Sequence, residues 1–195
     1  MRIKYNAPTV LTFSLFCALV LLLNETLIPN LAENWFAVGG KGSFRAGSLS
    51  CWISIITHAA GHAHWNHLIG NLTLILLIGP MLEDVYGSRP LFVMMLTTAL
   101  VTGVLNLLFF NSSLMGASGI VFMMILLSSF TNFSHGEIPL TFIFVLILYL
   151  GVQLFNSFSS DNISQFAHIV GGLCGSFFGF FRSPRLAAQQ RGRRK

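Results

Sequence analysis

The sequence predicts an all-α, polytopic membrane protein whose chain crosses the bilayer six times. Of its 195 residues, 54% are hydrophobic and 9% are charged, whereas about a quarter of the residues in a soluble domain are charged. The chain therefore lacks the polar side chains that a soluble surface requires. Its apolar residues also fall into separate runs, each near the ~17–25 residues that a helix needs to cross a bilayer. These two observations exclude an ordinary globular protein.

Six apolar runs are bounded by segments rich in glycine, proline, asparagine and serine, which interrupt helices. The predicted spans comprise residues 8–27, 66–81, 91–110, 114–130, 138–155 and 163–181. The first run has a second interpretation as a cleavable signal peptide, but it is longer than a typical signal and no small-residue cleavage site follows it. We therefore expect a retained helix, a transmembrane domain over residues 1–181 and a basic tail over residues 182–195.

Positive charges are distributed unequally between the two sides of the predicted bundle. Nine Lys and Arg residues fall on the side that carries both termini, and only Lys41 and Arg45 fall on the other. Because positively charged loops are retained in the cytoplasm, we expect both termini there. The short six-helix length and the absence of a transit-like N-terminus favour a bacterial plasma membrane. The basic tail is interpreted as a topology signal, so the expected partner is the lipid bilayer and no nucleic acid.

Polar residues that are unusual inside a membrane lie near the starts of spans two, four and six. They are His67 and Asn71 in the second span, Ser118 in the fourth and His168 in the sixth. These three spans start on the same side, and a rise of 1.5 Å per residue places each polar group within about 10 Å of its helix start. The sequence therefore predicts one shared site beneath the outer surface.

The sixth span carries a face of small residues. Glycines follow His168 at positions +3, +4, +7 and +11, a spacing that lies on one side of a helix and allows another helix to approach closely. One interpretation is a packing face whose histidine is satisfied by a neighbour. The other is functional, because an ionisable residue at membrane depth is a candidate site residue by default.

Ser118 opens the fourth span between Gly116 and Gly119, which leave room around its side chain. A serine in a membrane helix usually bonds only a backbone carbonyl. Beside a neutral imidazole, however, its hydroxyl becomes a nucleophile because the ring accepts the proton. No acidic residue lies at comparable depth, so Ser118 and His168 would form a dyad rather than a triad.

His67 and Asn71 are one helical turn apart and share a face of the second span. Asn and His side chains can donate hydrogen bonds to the oxyanion that develops during acyl transfer. Four histidines within residues 58–67 also allow a metal site. The His-Glu-x-x-His pattern of metalloproteases is absent, and the three cysteines follow neither a disulfide nor a zinc pattern. We therefore predict no metal and no cofactor.

Three motifs resemble, in order and spacing, those of rhomboid proteases. They are His62-x4-His67-x3-Asn71, Gly116-Ala117-Ser118-Gly119 and Ala167-His168-x2-Gly171-x3-Gly175. The segment from Glu83 to Arg89 also resembles a turn that the family often has, and the resemblance covers residues 57–179. It implies a six-helix rhomboid-like bundle that acts as an intramembrane serine endopeptidase on transmembrane protein substrates.

The resemblance also implies a role for each site residue. Ser118 would be the nucleophile and His168 the general base and then the general acid. The oxyanion hole would comprise the side chains of His67 and Asn71 and the backbone N–H of Ser118. Phe122 matches the aromatic residue that stacks on the catalytic histidine, and His62 matches a structural histidine.

One feature departs from the family pattern. Many rhomboids carry an adjacent Trp-Arg pair in the first outer loop, whereas Trp52 is followed by Ile53 and the nearest arginine is Arg45. The anchoring of this loop, residues 29–50, is therefore left open.

For substrate entry we consider a gate near span five and residues 156–162, where Phe155 and Phe158 would swing aside. The alternative is that both phenylalanines simply face lipid. Two rival functions remain: a non-catalytic rhomboid-like protein that binds transmembrane helices, and a small transporter or metal channel that uses the histidine cluster.

Overall fold

The computed structural model describes residues 5–131 and 162–181, together with five residues of the fifth predicted span: Leu140, Ile143, Phe144, Ile147 and Leu148. Within these residues the fold is all-helical except for one isolated antiparallel bridge. The helices are α1 (Pro8–Thr26), α2 (Leu31–Trp35), α3 (Leu49–Thr57), a 3-10 turn (His58–Ala60), α4 (Trp65–Tyr86), α5 (Ser88–Phe109), α6 (Ser118–Ser128) and α7 (Asn162–Phe181).

Among the described residues, three helices, α1, α4 and α5, are long and apolar enough to cross a membrane. Their exposed side chains are large and apolar, with Leu77 73% and Phe92 54% exposed. Such a surface is unfavourable in water, and it suits contact with lipid chains. The prediction of an all-α protein with membrane-spanning helices is thus confirmed. The count of six is not tested, because most of the fifth span and the proposed gate residues Phe155 and Phe158 lie outside the described residues.

Two predicted boundaries were wrong. The fourth span was expected to begin at residue 114, but α6 begins at Ser118. Leu114 is held outside the helix because its backbone pairs with Val38, with N–O distances of 2.9 and 3.0 Å. Gly116 has a φ of +133°, which no right-handed helix accommodates. The second span was expected to end at residue 81, but α4 continues to Tyr86.

α6 lies at the centre of the described helices. Seven of its eleven residues are buried, and it packs against α4, α5 and α7. The shared core includes Ile75 and Leu82 of α4 and Met94 of α5. Because every side of α6 is apolar, burial is favourable all around the helix. The helix that begins with Ser118 is therefore surrounded by protein.

The end of α4 holds the start of α1. The buried carboxylate of Glu83 accepts hydrogen bonds from the backbone N–H groups of Thr9 at 2.9 Å and Val10 at 3.0 Å. The first N–H groups of a helix have no acceptor within the helix, and a negative charge there is also favoured by the helix dipole. Glu83 thus fixes α1 against α4 at the end of the bundle opposite to Ser118.

The loop over residues 29–50, whose anchoring the sequence left open, contains α2 and the beginning of α3. It is anchored without a Trp-Arg pair. The side-chain amide of Asn106 donates to the carbonyl oxygens of Gly39 at 3.0 Å and Ser112 at 3.1 Å. The indole N–H of Trp52 donates to the Ala46 carbonyl at 2.9 Å. The loop is therefore held by the Asn106 side chain of α5 and by the backbone pair of Val38 with Leu114, which precedes α6.

Candidate active site

Ser118 is the first residue of α6 and is partly exposed. The turn before it is fixed from two sides, because Leu114 pairs with Val38 and the Gly116 N–H donates to the His58 carbonyl at 2.8 Å. The N–H groups of the first helical turn have no acceptor within the helix, and the helix dipole makes this end favourable for negative charge. The N-terminal end of α6, where Ser118 lies, therefore suits an oxyanion that develops beside the serine.

Glycines bring the backbones of α6 and α7 into contact. A Cβ atom on Gly171 would lie 2.0 Å from the Gly119 carbonyl oxygen, and one on Gly175 would lie 2.2 Å from the Met123 carbonyl oxygen. A Cβ on Gly119 would be 3.3 Å from the Ala167 carbonyl oxygen. Only glycine allows such an approach. The glycine face of α7 thus packs against the helix that Ser118 begins.

His168 is partly exposed and its ring contacts that of Phe122, with centroids 4.2 Å apart and planes inclined by 38°. Phe122 lies four residues after Ser118, so both side chains project from the same face of α6. Ala167, next to His168 in sequence, touches Gly119, next to Ser118. The histidine ring therefore lies over the face of α6 that carries the serine.

His67 lies against the turn that precedes Ser118. A Cβ on Gly116 would be 2.6 Å from Cε1 and 2.9 Å from Nε2 of His67. Glycine at position 116 is thus required both by its positive φ and by the imidazole beside it. His67 is partly exposed, and Asn71, one turn further along α4, is buried. The structure brings these two residues of α4 to the same end of the bundle as Ser118 and His168.

His62 connects Asn71 to this turn. Its Nε2 accepts hydrogen bonds from the Asn71 side-chain amide at 3.1 Å and from the Ala117 N–H at 3.5 Å. The remaining proton lies on Nδ1, which donates to the Ala60 carbonyl at 3.3 Å. His62 is in the loop before α4, outside the spanning segments, and burial lowers its pKa to about 4. The neutral ring therefore fixes the position of Asn71 relative to Ala117, the residue before Ser118.

Three further polar residues, His58, Thr102 and Asn106, lie behind the site. His58 is buried, and its Nε2 lies 3.2 Å from the Thr102 hydroxyl. Thr102 in turn packs against Gly119, where a Cβ would be 3.3 Å from Cγ2. Thr102 and Asn106 are both buried and four residues apart on α5. A polar stripe at helical spacing within an apolar span was the signal that would have revealed them.

Among the residues that the structure describes, no three His, Cys, Asp or Glu side chains converge to hold a metal ion. The histidines of this region instead contact one another as rings. The centroids of His62 and His67 are 5.0 Å apart, and those of His64 and His67 are 5.9 Å apart. The groups gathered here are thus a hydroxyl, imidazoles, an amide and helix-terminal N–H groups, which suit acyl transfer.

The family model for the Rhomboid domain matches residues 50–185, and the chain belongs to the rhomboid family. It is similar to "Rhomboid-like protein 11, chloroplastic" of Arabidopsis thaliana, with 26% identity over 152 residues that cover 76% of this chain and 51% of that protein. It is also similar to "Rhomboid-related protein 1" of Caenorhabditis elegans, with 32% identity over 143 residues that cover 61% and 36% respectively. The chain spans about half and about a third of these two relatives. The family and the apolar helices together indicate an integral membrane protein.

Proposed function

We propose that this protein is an intramembrane serine endopeptidase that uses Ser118 as nucleophile and His168 as general base. The observation that carries the proposal is the contact between α6 and α7. Gly119 and Gly171 place the two backbones against each other, and the His168 ring rests on Phe122, one turn from Ser118 on the same helix face. A catalytic dyad requires such an arrangement, because proton transfer occurs only within hydrogen-bond reach.

The reaction begins when His168 accepts the Ser118 hydroxyl proton and Oγ attacks the scissile carbonyl carbon. The carbonyl π electrons move to oxygen, and this oxyanion accepts hydrogen bonds from Asn71, His67 and the Ser118 N–H. His168 then gives its proton to the leaving amine as the C–N bond breaks, which leaves an acyl-enzyme. Water, deprotonated by His168, then attacks the ester. The bond between the acyl carbon and Oγ breaks, His168 returns its proton to Oγ, and the carboxyl product leaves with Ser118 regenerated.

Neutral His62 supports this mechanism. It holds the amide of Asn71 through Nε2, and the same atom accepts from the Ala117 N–H. One imidazole ring therefore holds both Asn71, the donor from α4, and the N-terminal end of α6, where Ser118 lies. Preorganised donors of this kind stabilise a transition state because they need no reorientation when charge develops.

The substrates in this proposal are transmembrane helices that unwind near the outer membrane face, since an intact helix hides its carbonyls in hydrogen bonds. Six spans form the domain over residues 1–181, and the basic tail of residues 182–195 lies in the cytoplasm with the N-terminus. The nine-to-two distribution of Lys and Arg supports this orientation. A bacterial plasma membrane and a gate at span five belong to the same proposal.

Purified protein in detergent or liposomes, incubated with a reporter transmembrane substrate, tests the proposal. Ser118→Ala and His168→Ala should each abolish cleavage, and a fluorophosphonate probe should label the wild type but not the Ser118 variant. Ser128→Ala is the matched control, because this serine lies at the other end of α6 and, among the described residues, its hydroxyl donates to the Ile125 carbonyl alone. Cleavage by the Ser118 variant would refute the nucleophile. A wild type that binds substrate but is neither labelled nor active would indicate a non-catalytic helix-binding protein.

A further inference from the structure

The turn that opens α4 contains an unusual N-cap. His64 has extended backbone angles, φ −164° and ψ 164°, and its Nδ1 accepts a hydrogen bond from the His67 N–H at 3.1 Å. Ser, Thr, Asp and Asn normally fill this position because their side-chain oxygens accept from the same N–H. An imidazole nitrogen differs from these oxygens in one respect, since it loses its acceptor lone pair when it binds a proton.

The capped residue is itself part of the proposed catalytic machinery. His67 receives the cap through its backbone, and its ring lies against Gly116, two residues before Ser118. The ring is also flanked by those of His62 and His64, at centroid distances of 5.0 and 5.9 Å. A change in the first turn of α4 therefore moves the His67 ring relative to the N-terminal end of α6, where Ser118 lies.

We infer that His64 is a positioning residue that holds His67 in the oxyanion hole only while its own ring is neutral. Acid therefore lowers the activity of the enzyme, because protonation of His64 removes the cap. The inference rests on the proposed function. Protonated His64 presents N–H groups at both ring nitrogens, so that a donor faces the His67 N–H where an acceptor stood. Its positive charge also lies at a helix N-terminus, where a cation is disfavoured.

Few other charges surround this turn among the described residues. His67 and His62 are the titratable neighbours within the loop and α4, and Glu25 at the end of α1 accepts from the Trp65 indole N–H at 2.5 Å. α6 has no charged residue. On α7, the ring of His168 lies against that of Phe122. Among side chains, imidazole is in general the one that changes charge between pH 5 and 8.

The test compares cleavage of the same reporter substrate at pH 8 and pH 5.5 by the wild type, His64→Ser and His64→Ala. A serine side chain caps α4 and stays uncharged at both pH values, whereas an alanine side chain cannot cap the helix. We expect the ratio of kcat between the serine variant and the wild type to rise by about fivefold from pH 8 to pH 5.5, the change that loss of a typical N-cap produces. The alanine variant should stay below the serine variant by a similar factor at both pH values. The effect belongs in kcat because oxyanion contacts form in the transition state.

Thr73→Val is the control on the same helix, since within the part of the chain that the structure describes this exposed hydroxyl bonds the Ile69 carbonyl alone. It should follow the wild type at both pH values. Any acid loss of activity that arises at another group is common to these proteins and cancels in the ratio. A serine-to-wild-type ratio that does not change with pH would overturn the inference and leave the proposed protease function intact.

Hydrogen exchange of the His67 amide supplies a readout that does not require catalysis. In the wild type, protection of this amide should fall between pH 8 and pH 5.5 by about fivefold more than in His64→Ser. If that difference appears in a protein that cleaves nothing, the cap switch stands and the proposed function fails. If the amide is equally protected in both proteins at both pH values, the switch is absent.

Discussion

Substitution of Gly171 by alanine tests whether the contact between α6 and α7 controls catalysis. The added Cβ would lie 2.0 Å from the Gly119 carbonyl oxygen and 2.8 Å from its carbonyl carbon. Both atoms are backbone, so no side-chain rotation relieves the clash. To reach a normal contact of about 3.5 Å, the helices must separate by roughly 1.5 Å. His168 would move away from Ser118 by a comparable distance.

A misplacement of about 1 Å between reacting groups lowers rates by roughly 10²-fold. We therefore expect Gly171→Ala to reduce kcat/KM by about two orders of magnitude, with a loss of stability of about 1–3 kcal/mol from overpacking. Gly70→Ala is the control, because a Cβ there meets nothing within 4 Å. Cleavage is measured at a temperature at which both variants are folded, as judged by thermal denaturation. Gly171→Ala with the activity of Gly70→Ala would refute the proposed role of this helix contact.

Three further predictions concern Asn71, Glu83 and His62. Asn71→Ala should lower kcat by about 10²–10³-fold, the scale of a lost oxyanion donor, and an unchanged kcat would remove Asn71 from the mechanism. Glu83→Ala should lower the free energy of unfolding by about 1–2 kcal/mol, because the N–H groups of Thr9 and Val10 lose their cap; an unchanged melting temperature would contradict this. Because burial lowers the pKa of His62 to about 4, the unfolded chain binds more protons between pH 6.5 and 4. Stability should therefore fall with decreasing pH by up to about 1.4 kcal/mol per unit, and less steeply in His62→Gln.

Local patterns in the sequence were sufficient for the membrane class and for much of the helix pattern. α1 begins at Pro8 as predicted, and α7 begins within one residue of the predicted position. The glycine spacing of α7 also predicted a face for close helix contact. Such features depend on hydrophobicity and on the 3.6-residue period, which a single segment carries by itself.

The start of α6 shows where local patterns fail. Residues 114–117 are apolar or small and continue the hydrophobic run, so the sequence extended the helix through them. The observed start depends on Val38, which pairs with Leu114 across 76 positions of sequence, and on the His58 carbonyl, which accepts from the Gly116 N–H. Neither partner is within the window that determines helix propensity.

The sequence alone predicted which polar groups share one end of the bundle, which ends of their helices they occupy and which face of α7 carries glycines. Only the tertiary structure decided that this face meets α6 at Gly119, that His62 joins Asn71 to Ala117, and that His64 caps the turn of His67. The physical reason is the range of each interaction. Hydrophobic periodicity acts along one helix. This site instead depends on contacts between distant segments, and α6 and α7 pack so closely that one added methyl group would separate them.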